Sequence, residues 1–429
     1  MSLYSSFYAS LSGLSTSASN LSVIGNNLAN LNTIGFKGSS GTFQDLFAAS
    51  LGSQGTQGNG NPIQIGLGTR LGGVTQNFGQ GSYQSTSSVT DLAISGRGFF
   101  ALQTKTGTRA YSRAGNFTVD KAGGLVDPNG NQVLGWNRSG GTVSVTGTPS
   151  PVQIDLGSTA GAAITTTMSA ITNLNANATV PVVGPPAIAG SVYTTSMQVY
   201  DSLGATHNLI QTYTKTANTG EWSLTMSTDD AGATVDYNGT GSPTTLVQFD
   251  SAGILTSQAT NPTISISNWT NGAASQTIDW TIRSGTPSIS SLTGYASDST
   301  TSNSVQNGYG AGTIQSLIVD QAGTITGVFS NGQMIPLAQV ALAVFSNQNG
   351  LSKQGDNTWA ETLASGSGNV GAANQGGRGA VLGGNLELSN VDVAEEFTKL
   401  IIAQRGYQAN SRVVTTSDEL LQETLNLKR

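Results

Sequence analysis

The residues of this sequence that could carry out chemistry are few, and their types exclude most kinds of catalytic site. The chain has 429 residues, no cysteine and one histidine, His207. Thiolate nucleophiles, disulfides and metal sites built from cysteines or several histidines are therefore excluded. A catalytic triad would need His207 beside an activated serine, and no Gly-x-Ser-x-Gly elbow marks such a serine at a strand-to-helix turn. We interpret His207 as a surface-loop residue and expect no catalytic residue.

Other patterns that could indicate a site have simpler explanations. Gly366, Gly368 and Gly371 match G-x-G-x-x-G, but their flanks are Ala/Ser/Gly-rich and do not predict the strand and helix of a dinucleotide site. The carboxylate pair Asp229-Asp230 begins a turn, and Glu395-Glu396 lies in the first turn of a helix. We therefore expect no cofactor site and no metal site.

The tryptophans raise one alternative, a site that binds sugars. Five tryptophans on a β scaffold could form a sugar-binding platform, but scattered tryptophans usually pack in the core, and we expect core packing here. They are Trp136, Trp222, Trp269, Trp280 and Trp359.

The overall charge argues against nucleic acid and membrane partners. Charged residues make up 9% of the chain, and the net charge is −6 at pH 7. Nucleic acids and anionic membranes select basic surfaces, so neither is an expected partner. The most apolar stretch, 337–345, is far shorter than the ~20 residues of a membrane-spanning helix. The first residues lack the basic and contiguous apolar regions of a secretory signal peptide.

The two ends of the chain are predicted to be helices that associate through an apolar seam. Apolar residues recur there at spacings of four and three, the heptad pattern of a coiled coil. The weak helix propensity of the Ser- and Asn-rich N-terminal end suggests that it needs partners. We expect self-assembly through these seam residues: Phe7, Leu11, Leu14, Leu21 and Leu28 at the N-terminal end, and Phe397, Leu400, Gln404, Tyr407, Val414, Leu421 and Leu425 at the C-terminal end.

Between the helical ends the pattern is almost entirely β. Short, partly alternating segments are bounded by Gly, Asn or Pro. The sequence Asp-x-Ala-Gly occurs at 120–123, 229–232, 250–253 and 320–323, and it suits a turn with a left-handed glycine at its fourth position. We interpret these four copies as hairpin turns.

Composition also predicts the domain boundaries. We expect a helical coiled-coil domain over 1–32 and 390–429, Gly- and Ser-rich linkers over 33–70 and 376–389, and an inner β domain over 71–146 and 286–375. A composition shift predicts a second β domain inserted over 147–285. The fold class is therefore mainly β with paired helical termini.

Two terminal motifs resemble the signatures of the bacterial flagellar rod and hook proteins. The first is Asn26-Asn27-Leu28-Ala29-Asn30 followed by Asn32-Thr33-Ile34-Gly35-Phe36-Lys37. The second is Ser389-Asn390-Val391-Asp392 followed by Gln404-Arg405-Gly406-Tyr407-Gln408-Ala409-Asn410. The resemblance adds Asn30, Phe36 and Asn410 to the expected self-assembly residues. Segments 196–215 and 246–255 resemble the inserted domain of the hook subunits of that family.

This resemblance implies a structural role. Hook subunits are exported unfolded by the flagellar type III apparatus without a cleaved signal, and they polymerise into a short curved tube outside the cell. The tube acts as a universal joint that transmits torque from the rod to the filament. Expected partners are other copies of the chain, the rod, the hook cap and the hook–filament junction proteins. The alternatives are a distal-rod-like subunit of the same family and a secreted β-sandwich binding protein or adhesin.

Overall fold

A long helix lies near each end of the chain, and the described residues between them form mainly strands and turns. The computed structural model describes residues 3–53, 62–181, 191–285 and 289–426. Helix α1 spans Leu3–Ala29, helix α2 spans Val393–Asn426, and a turn of 3-10 helix covers Gln348–Gly350. Neither α1 nor α2 contains an apolar stretch long enough to cross a bilayer.

The strands are mostly short, as expected for a chain with 56 glycines. The first group runs from the end of α1: β1 (Ser39–Asp45), β2 (Ala48–Ser53), β3 (Pro62–Gly66), β4 (Thr69–Gln76), β5 (Tyr83–Ser85), β6 (Leu92–Ser95), β7 (Phe99–Gln103), β8 (Arg109–Ser112), β9 (Thr118–Val119), β10 (Leu125–Val126), β11 (Gln132–Ser139), β12 (Thr142–Val143) and β13 (Ser150–Pro151). The middle group is β14 (Thr159–Ala160), β15 (Thr167–Asn173), β16 (Val192–Tyr200), β17 (Thr206–Lys215), β18 (Glu221–Thr228), β19 (Thr234–Tyr237), β20 (Thr244–Gln248), β21 (Thr263–Ser267), β22 (Gln276–Trp280), β23 (Arg283–Ser284), β24 (Ile289–Ser290), β25 (Leu292–Thr293) and β26 (Thr300–Gln306). The last group is β27 (Gly312–Val319), β28 (Thr324–Phe329), β29 (Met334–Val344), β30 (Ser352–Gly355), β31 (Thr358–Ala360), β32 (Asn369–Ala372), β33 (Ala380–Gly383) and β34 (Asn385–Glu387).

The chain folds into two compact units. Unit 1 comprises residues 1–156, 316–328 and 334–429, and unit 2 comprises 157–315 and 329–333. The sequence predicts an insertion over 147–285, whereas unit 2 begins ten residues later and extends to 315. The later end reflects β25 and β26, which pair with β15 of the same unit. These strands are rich in Ser and Thr, so composition does not separate them from the inner domain.

Unit 1 is built on an antiparallel sheet that is buried on both faces. Its central path is β28-β29-β11-β7-β8-β31-β30. Side chains alternate between faces along a strand, so Phe99 and Ala101 of β7 join one core cluster while Phe100 and Leu102 join the other. Trp136 and Trp359 belong to the cluster on the Phe99 face.

Unit 2 is a β-sandwich with one shared core. A four-stranded sheet has the order β16-β17-β18-β20, and a second sheet has the order β19-β21-β22-β15-β25, with β26 also paired to β15. Alternate residues of both sheets form a single cluster that includes Trp222, Trp269 and Trp280. All five tryptophans of the chain are buried, which confirms their predicted core role.

The two predicted linkers contain paired strands, so the structure corrects their assignment. Within 33–70, β1 pairs with β4 and β2 pairs with β3, which makes a long hairpin beside α1; residues 54–61 lie outside the described part. Within 376–389, β33 pairs with β6 and β34 pairs with β5. The strands of these segments pair through backbone hydrogen bonds and lack the alternating apolar residues that usually indicate a strand. Their small, polar residues therefore have the composition of a linker.

The predicted Asp-x-Ala-Gly turns form at three of the four positions. At 120–123, 250–253 and 320–323 the glycine has a positive φ and donates its N–H to the aspartate carbonyl. At 229–232 the turn instead starts at Asp230, whose carboxylate accepts the N–H of Gly232. Asp229 is thereby left outside the turn.

Candidate self-assembly surface and the junction that positions it

The two terminal helices pack side by side in antiparallel directions. A Cβ placed on Gly13 would lie 2.7 Å from Asn410 Nδ2, and one on Gly406 would lie 3.8 Å from Ser17 Oγ. Farther along, Asn27 Nδ2 donates to Glu396 Oε2 at 3.1 Å. Moving 14 residues along α1, from 13 to 27, corresponds to moving 14 residues back along α2, from 410 to 396. The helices therefore keep one heptad register, as in a coiled coil.

The seam between the helices consists mainly of small and polar side chains. The buried residues of α1 are Ser10, Thr16, Ile24 and Asn27, and those of α2 are Glu396, Ala403 and Ser417. Ser10 donates to the carbonyl of Ser6 and Ser417 to that of Val413, so their hydroxyls are satisfied within their own helices. Small residues let two helices approach closely but remove little apolar surface from water. The pairing within one chain is therefore close and weakly hydrophobic.

The sequence correctly predicts that the helices pair, but it places the seam one residue away from its observed position. The predicted N-terminal seam runs through Leu14 and Leu21, whereas positions 13 and 17 face α2 and the buried positions are 10, 16, 24 and 27. One residue is about 100° of helix rotation. The large side chains consequently flank the contact instead of filling it, because Gly13, Ser17 and Gly406 allow a closer approach than leucines would.

The predicted self-assembly residues therefore fall into distinct environments. Leu11, Phe397, Gln404 and Tyr407 are exposed. Half-buried positions are held by Phe7, Leu14, Leu21, Leu28, Asn30, Leu400, Asn410, Val414 and Leu421. Phe36 is fully buried within the chain, and the side chain of Leu425 lies outside the described residues. Of this set the structure brings Asn410 onto the helix seam.

Both helices expose large apolar side chains on the faces that the seam leaves uncovered. Ile402 is 65% exposed and Tyr8 is 63% exposed. Further exposed apolar residues on α2 are Val393, Phe397, Ile401, Tyr407, Val413 and Leu420. Large apolar side chains exposed in such number on one pair of helices are typical of an interaction site.

The β1–β4 hairpin is fixed to α1 at a close backbone approach. Thr69 donates its N–H to Ser12 Oγ at 3.1 Å, and Ser12 Oγ donates to the carbonyl of Ala9. A Cβ on Gly68 would lie 2.1 Å from Ser12 Oγ, so only glycine fits at this point. The hairpin exposes Phe43, Phe47 and Val74, which extends the apolar surface beyond the helices.

A buried ionic cluster joins the helical part of unit 1 to its sheet. Glu387, at the end of β34, is completely buried, and its carboxylate accepts from Lys37 Nζ at 2.5 Å and from Arg113 at 3.2 Å. The same carboxylate accepts the N–H of Gly81, while the Glu387 carbonyl accepts the N–H of Gly35. One residue therefore connects the chain leaving α1, the end of the hairpin and the strand that leads into α2.

The electrostatics of this cluster are those of a structural site. Burial lowers the pKa of Lys37 more than the hydrogen bond and charge of Glu387 raise it, and Arg113 lowers it further. Lys37 Nζ also donates to the carbonyl of Gly79. Burying charges is costly unless they are paired and hydrogen-bonded, so these contacts hold a specific geometry more than they add stability. No sequence pattern singles out Glu387 and Arg113; the one signal that the sequence offers is the rarity of charged residues, which make up 9% of the chain.

Residues of the terminal motifs serve the same junction. Asn27 bonds both backbone groups of Ser39, and the Asn390 side chain accepts the N–H of Gly38 and donates to the carbonyl of Asn77. Phe36 lies beneath Lys353, whose Nζ is 4.6 Å from the ring centroid. Asn30 bonds within the end of α1, accepting from Thr33 Oγ1. These motifs are explained by contacts within the chain, which do not reveal a subunit contact.

The other residues that the sequence singles out have structural surroundings. His207 is in unit 2 and contacts Asp201 and Asp229, so it is not a free loop histidine. Gly366, Gly368 and Gly371 precede and enter strand β32 of the unit 1 sheet, and they are not followed by a helix. Glu395 and Glu396 both bond Lys399 in the first turns of α2, which agrees with their predicted place in the helix.

Four family models match successive parts of the chain. Residues 7–37 match the "Flagella basal body rod protein" model and residues 93–172 the "Flagellar hook protein FlgE/F/G D1 domain" model. Residues 173–309 match the "Flagellar basal body protein FlaE D2 domain" model and residues 382–427 the "Flagellar basal body rod FlgEFG protein C-terminal" model. Their order follows the observed succession of α1, unit 1 sheet, unit 2 and α2.

Full-length relatives give the same assignment. The chain is 37% identical to the flagellar hook protein FlgE of Salmonella typhimurium over 99% of this chain and 100% of that protein. It is 35% identical to the FlgE protein of Borreliella burgdorferi over 99% of both. A crystal structure of Helicobacter pylori flagellar hook protein FlgE2 aligns with 70% of this chain and 98% of that chain. The sequence identity is 16% and the TM-score is 0.47. Because the identity extends over both termini and both units, the chain belongs to the flagellar hook protein family.

Proposed function

We propose that this chain is a structural subunit of the bacterial flagellar hook and that it self-assembles through the outer faces of α1, α2 and the β1–β4 hairpin. The assembly is a short curved tube, attached to the basal body, that acts as a universal joint and transmits torque. One observation carries the proposal about the contact surface: the helices pair through small polar side chains and leave their large apolar side chains exposed.

The hydrophobic effect favours contacts between copies of the chain, because these contacts would bury the exposed apolar side chains. Each large apolar side chain that moves from water into a contact contributes roughly 1.5–3 kcal/mol. Within one chain, α2 keeps Ile401, Ile402 and Leu420 exposed, so most of that free energy is available only between copies. We infer that neighbouring copies cover these residues, and that the seam residues fix the geometry in which they are presented.

Unit 2 favours a hook subunit over a distal-rod-like subunit. The family resemblance implies that distal rod subunits lack an inserted outer domain, whereas this chain carries a complete β-sandwich over 157–315. Rod, hook cap and hook–filament junction proteins are the proposed neighbours at the ends of the tube, and the type III export apparatus is the proposed route. The proposed role is mechanical and involves no catalysis or cofactor.

A charge on the exposed face of α2 tests the contact surface. Ile402→Asp should abolish polymer formation while unit 1 and unit 2 stay folded, because a charge buried between copies without a partner is strongly disfavoured. Leu203→Asp is the matched control, since Leu203 is also a large apolar residue, 63% exposed, but belongs to unit 2 and not to the proposed surface. Sedimentation and electron microscopy measure polymer yield. Normal yield from Ile402→Asp would contradict the proposed surface.

A further inference from the structure

Asparagine followed by glycine is a dipeptide that can modify itself, and the described residues contain six copies of it. The asparagines are Asn129, Asn238, Asn271, Asn307, Asn331 and Asn349. In this dipeptide the backbone nitrogen of the glycine can attack the side-chain amide carbon of the asparagine, because glycine has no Cβ to obstruct the approach. Attack requires the two atoms to come within about 3–3.5 Å of each other. The local structure of each copy therefore decides which one reacts.

In five of the six copies the glycine nitrogen is held by a hydrogen bond. Four of these glycines end a turn and donate their N–H to the carbonyl three residues earlier, at 2.9–3.3 Å; they are Gly130, Gly272, Gly332 and Gly350. In the fifth copy Gly308 donates its N–H to Gln306 Oε1. Such a nitrogen must break its hydrogen bond before it can attack the neighbouring side chain.

The sixth copy, Asn238-Gly239, occupies a different place in its turn. It lies in the loop between β19 and β20, where Thr240 donates its N–H to the carbonyl of Tyr237 at 3.2 Å. Asn238 and Gly239 are the two central residues, with φ of +55° and +70°, as in a type I′ turn. Because the residue after the glycine closes the turn, the N–H of Gly239 forms no hydrogen bond within the described part of the chain.

The side chain of Asn238 is also unrestrained. The residue is exposed, and its amide forms no hydrogen bond with any residue that the structure describes. By contrast, Asn271, Asn307 and Asn331 each donate from Nδ2 and accept at Oδ1. A Cβ placed on Gly239 would have no atoms within 4 Å, so the loop has room to rotate into the geometry of attack.

We propose that Asn238 is a site of spontaneous covalent modification, at which the β19–β20 loop closes to a succinimide, hydrolyses to aspartate and isoaspartate, and so opens the turn. Both reacting groups belong to one exposed loop of unit 2. The modification therefore does not depend on the proposed assembly surface, which lies in unit 1.

The reaction consumes one water molecule and releases one ammonia molecule. The Gly239 nitrogen gives its proton to hydroxide and forms a bond to Cγ of Asn238, while the bond from Cγ to Nδ2 breaks and that nitrogen takes a proton from water. Water then adds to one of the two carbonyl carbons of the ring. Breaking the bond from Cγ to the Gly239 nitrogen gives aspartate. Breaking the bond from the main-chain carbonyl carbon to that nitrogen gives isoaspartate.

Both products alter the loop. Each replaces a neutral amide by a carboxylate, which makes the net charge of −6 more negative by one unit. The new carboxylate lies two residues from Asp236, whose Oδ1 accepts the N–H of Gly241 at 2.8 Å. Isoaspartate also adds one carbon to the main chain of a two-residue turn, so the bond from Thr240 to Tyr237 should be lost in that product.

Peptide mapping by mass spectrometry measures the rate at each asparagine. The folded full-length protein is aged in a mildly alkaline buffer and digested at mildly acidic pH, so that little reaction occurs during digestion. Asn129 and Asn349 are the matched controls, because both are exposed but their glycines donate to carbonyls. Asn238 should react about two- to tenfold faster than either, the factor that one hydrogen bond contributes. A rate at Asn238 that does not exceed both control rates would overturn the proposal.

Ageing the protein in denaturant separates the effect of the turn from that of local sequence. Without the turns, Asn129, Asn238 and Asn349 should react at similar rates, because each is followed by the same residue. If Asn238 led by the same factor in the unfolded chain, its place in the turn would not be the cause and the proposal would fail.

Amide hydrogen exchange tests whether the turn opens. Exchange at Thr240 should be faster in aged than in fresh unaltered protein, because the modified turn no longer holds this N–H. In Asn238→Gln the attack would have to form a larger ring, so aged and fresh samples of this variant should exchange alike. Equal exchange in aged and fresh unaltered protein, after modification has been verified by mass, would overturn the proposed opening of the turn.

Discussion

At the scale of single residues, the junction at Glu387 determines how the helical termini leave the sheet of unit 1. Gly35 contributes through its backbone conformation. It has φ of +68°, and a Cβ there would lie 2.5 Å from the backbone nitrogen of Ala114. Backbone atoms cannot move aside as a flexible side chain can, so close packing within the chain accounts for the glycine of the N-terminal motif.

Gly35→Ala should destabilise unit 1 by at least about 1–3 kcal/mol, because the left-handed conformation alone has that cost for a residue with a Cβ. Gly25→Ala is the matched control, since Gly25 lies in α1 and has no atoms within 4 Å of its Cβ position. The control should instead stabilise the helix by up to about 1 kcal/mol. Urea denaturation of both full-length variants measures the difference. Equal stability of the two variants would contradict the packing argument.

Glu387→Gln tests the buried charges of the same junction. It leaves Lys37 and Arg113 buried without a carboxylate, which typically costs about 3–5 kcal/mol. Glu395→Gln is the control: Glu395 pairs with Lys399 but is 65% exposed, and such pairs contribute at most about 1 kcal/mol. The free energy of unfolding from denaturant titration distinguishes the two. A loss below about 1 kcal/mol for Glu387→Gln would mean that the pairing does not hold the junction.

At the scale of secondary-structure elements, the sequence predicts which segments form helices better than it predicts how they face each other. The predicted helical ends, 1–32 and 390–429, contain α1 and α2 within a few residues. The seam could not be predicted by following Leu and Phe, because the contact is made by Gly13, Ser17 and Gly406 at the closest approach. The hairpin strands were also missed, since β1 and β4 pair through backbone groups and expose most of their side chains.

Gly406→Ala tests whether the helix pair can be stabilised without altering its contact. A Cβ at this position would be 3.8 Å from Ser17 Oγ, which is ordinary van der Waals contact. Removing a glycine from a helix interior should therefore add about 1 kcal/mol of helix stability. Circular dichroism of the full chain should show more helix or a higher melting temperature. Loss of helix or of polymer would indicate that residue 406 must remain a glycine for contacts between copies.

At the scale of the whole molecule, stability is expected to be unevenly distributed. The sheet of unit 1 and the sandwich of unit 2 each have a buried apolar core, and both could be anticipated from strand-like segments in the sequence. The boundary between the units could not, because the Ser- and Thr-rich strands β25 and β26 have no composition that assigns them to either unit. The helical termini bury few apolar side chains, and these are Ile24 of α1 and Ala403 of α2.

This uneven distribution predicts that the termini become ordered chiefly on assembly. The helix pair buries small polar side chains, which offset little of the conformational entropy lost when about 60 residues become helical. In verified full-length monomer, amides of α1 and α2 should therefore exchange with solvent rapidly, while β7 and β29 of unit 1 should be protected. In the polymer, protection of both helices should rise to that of the strands, because neighbouring copies cover Ile401, Ile402 and Leu420. The control is Ile402→Asp, in which the strands should stay protected and the helices should remain rapid at every concentration. Strong protection of both helices in the monomer would mean that the small-residue seam suffices to order them, and assembly would then join preformed helices.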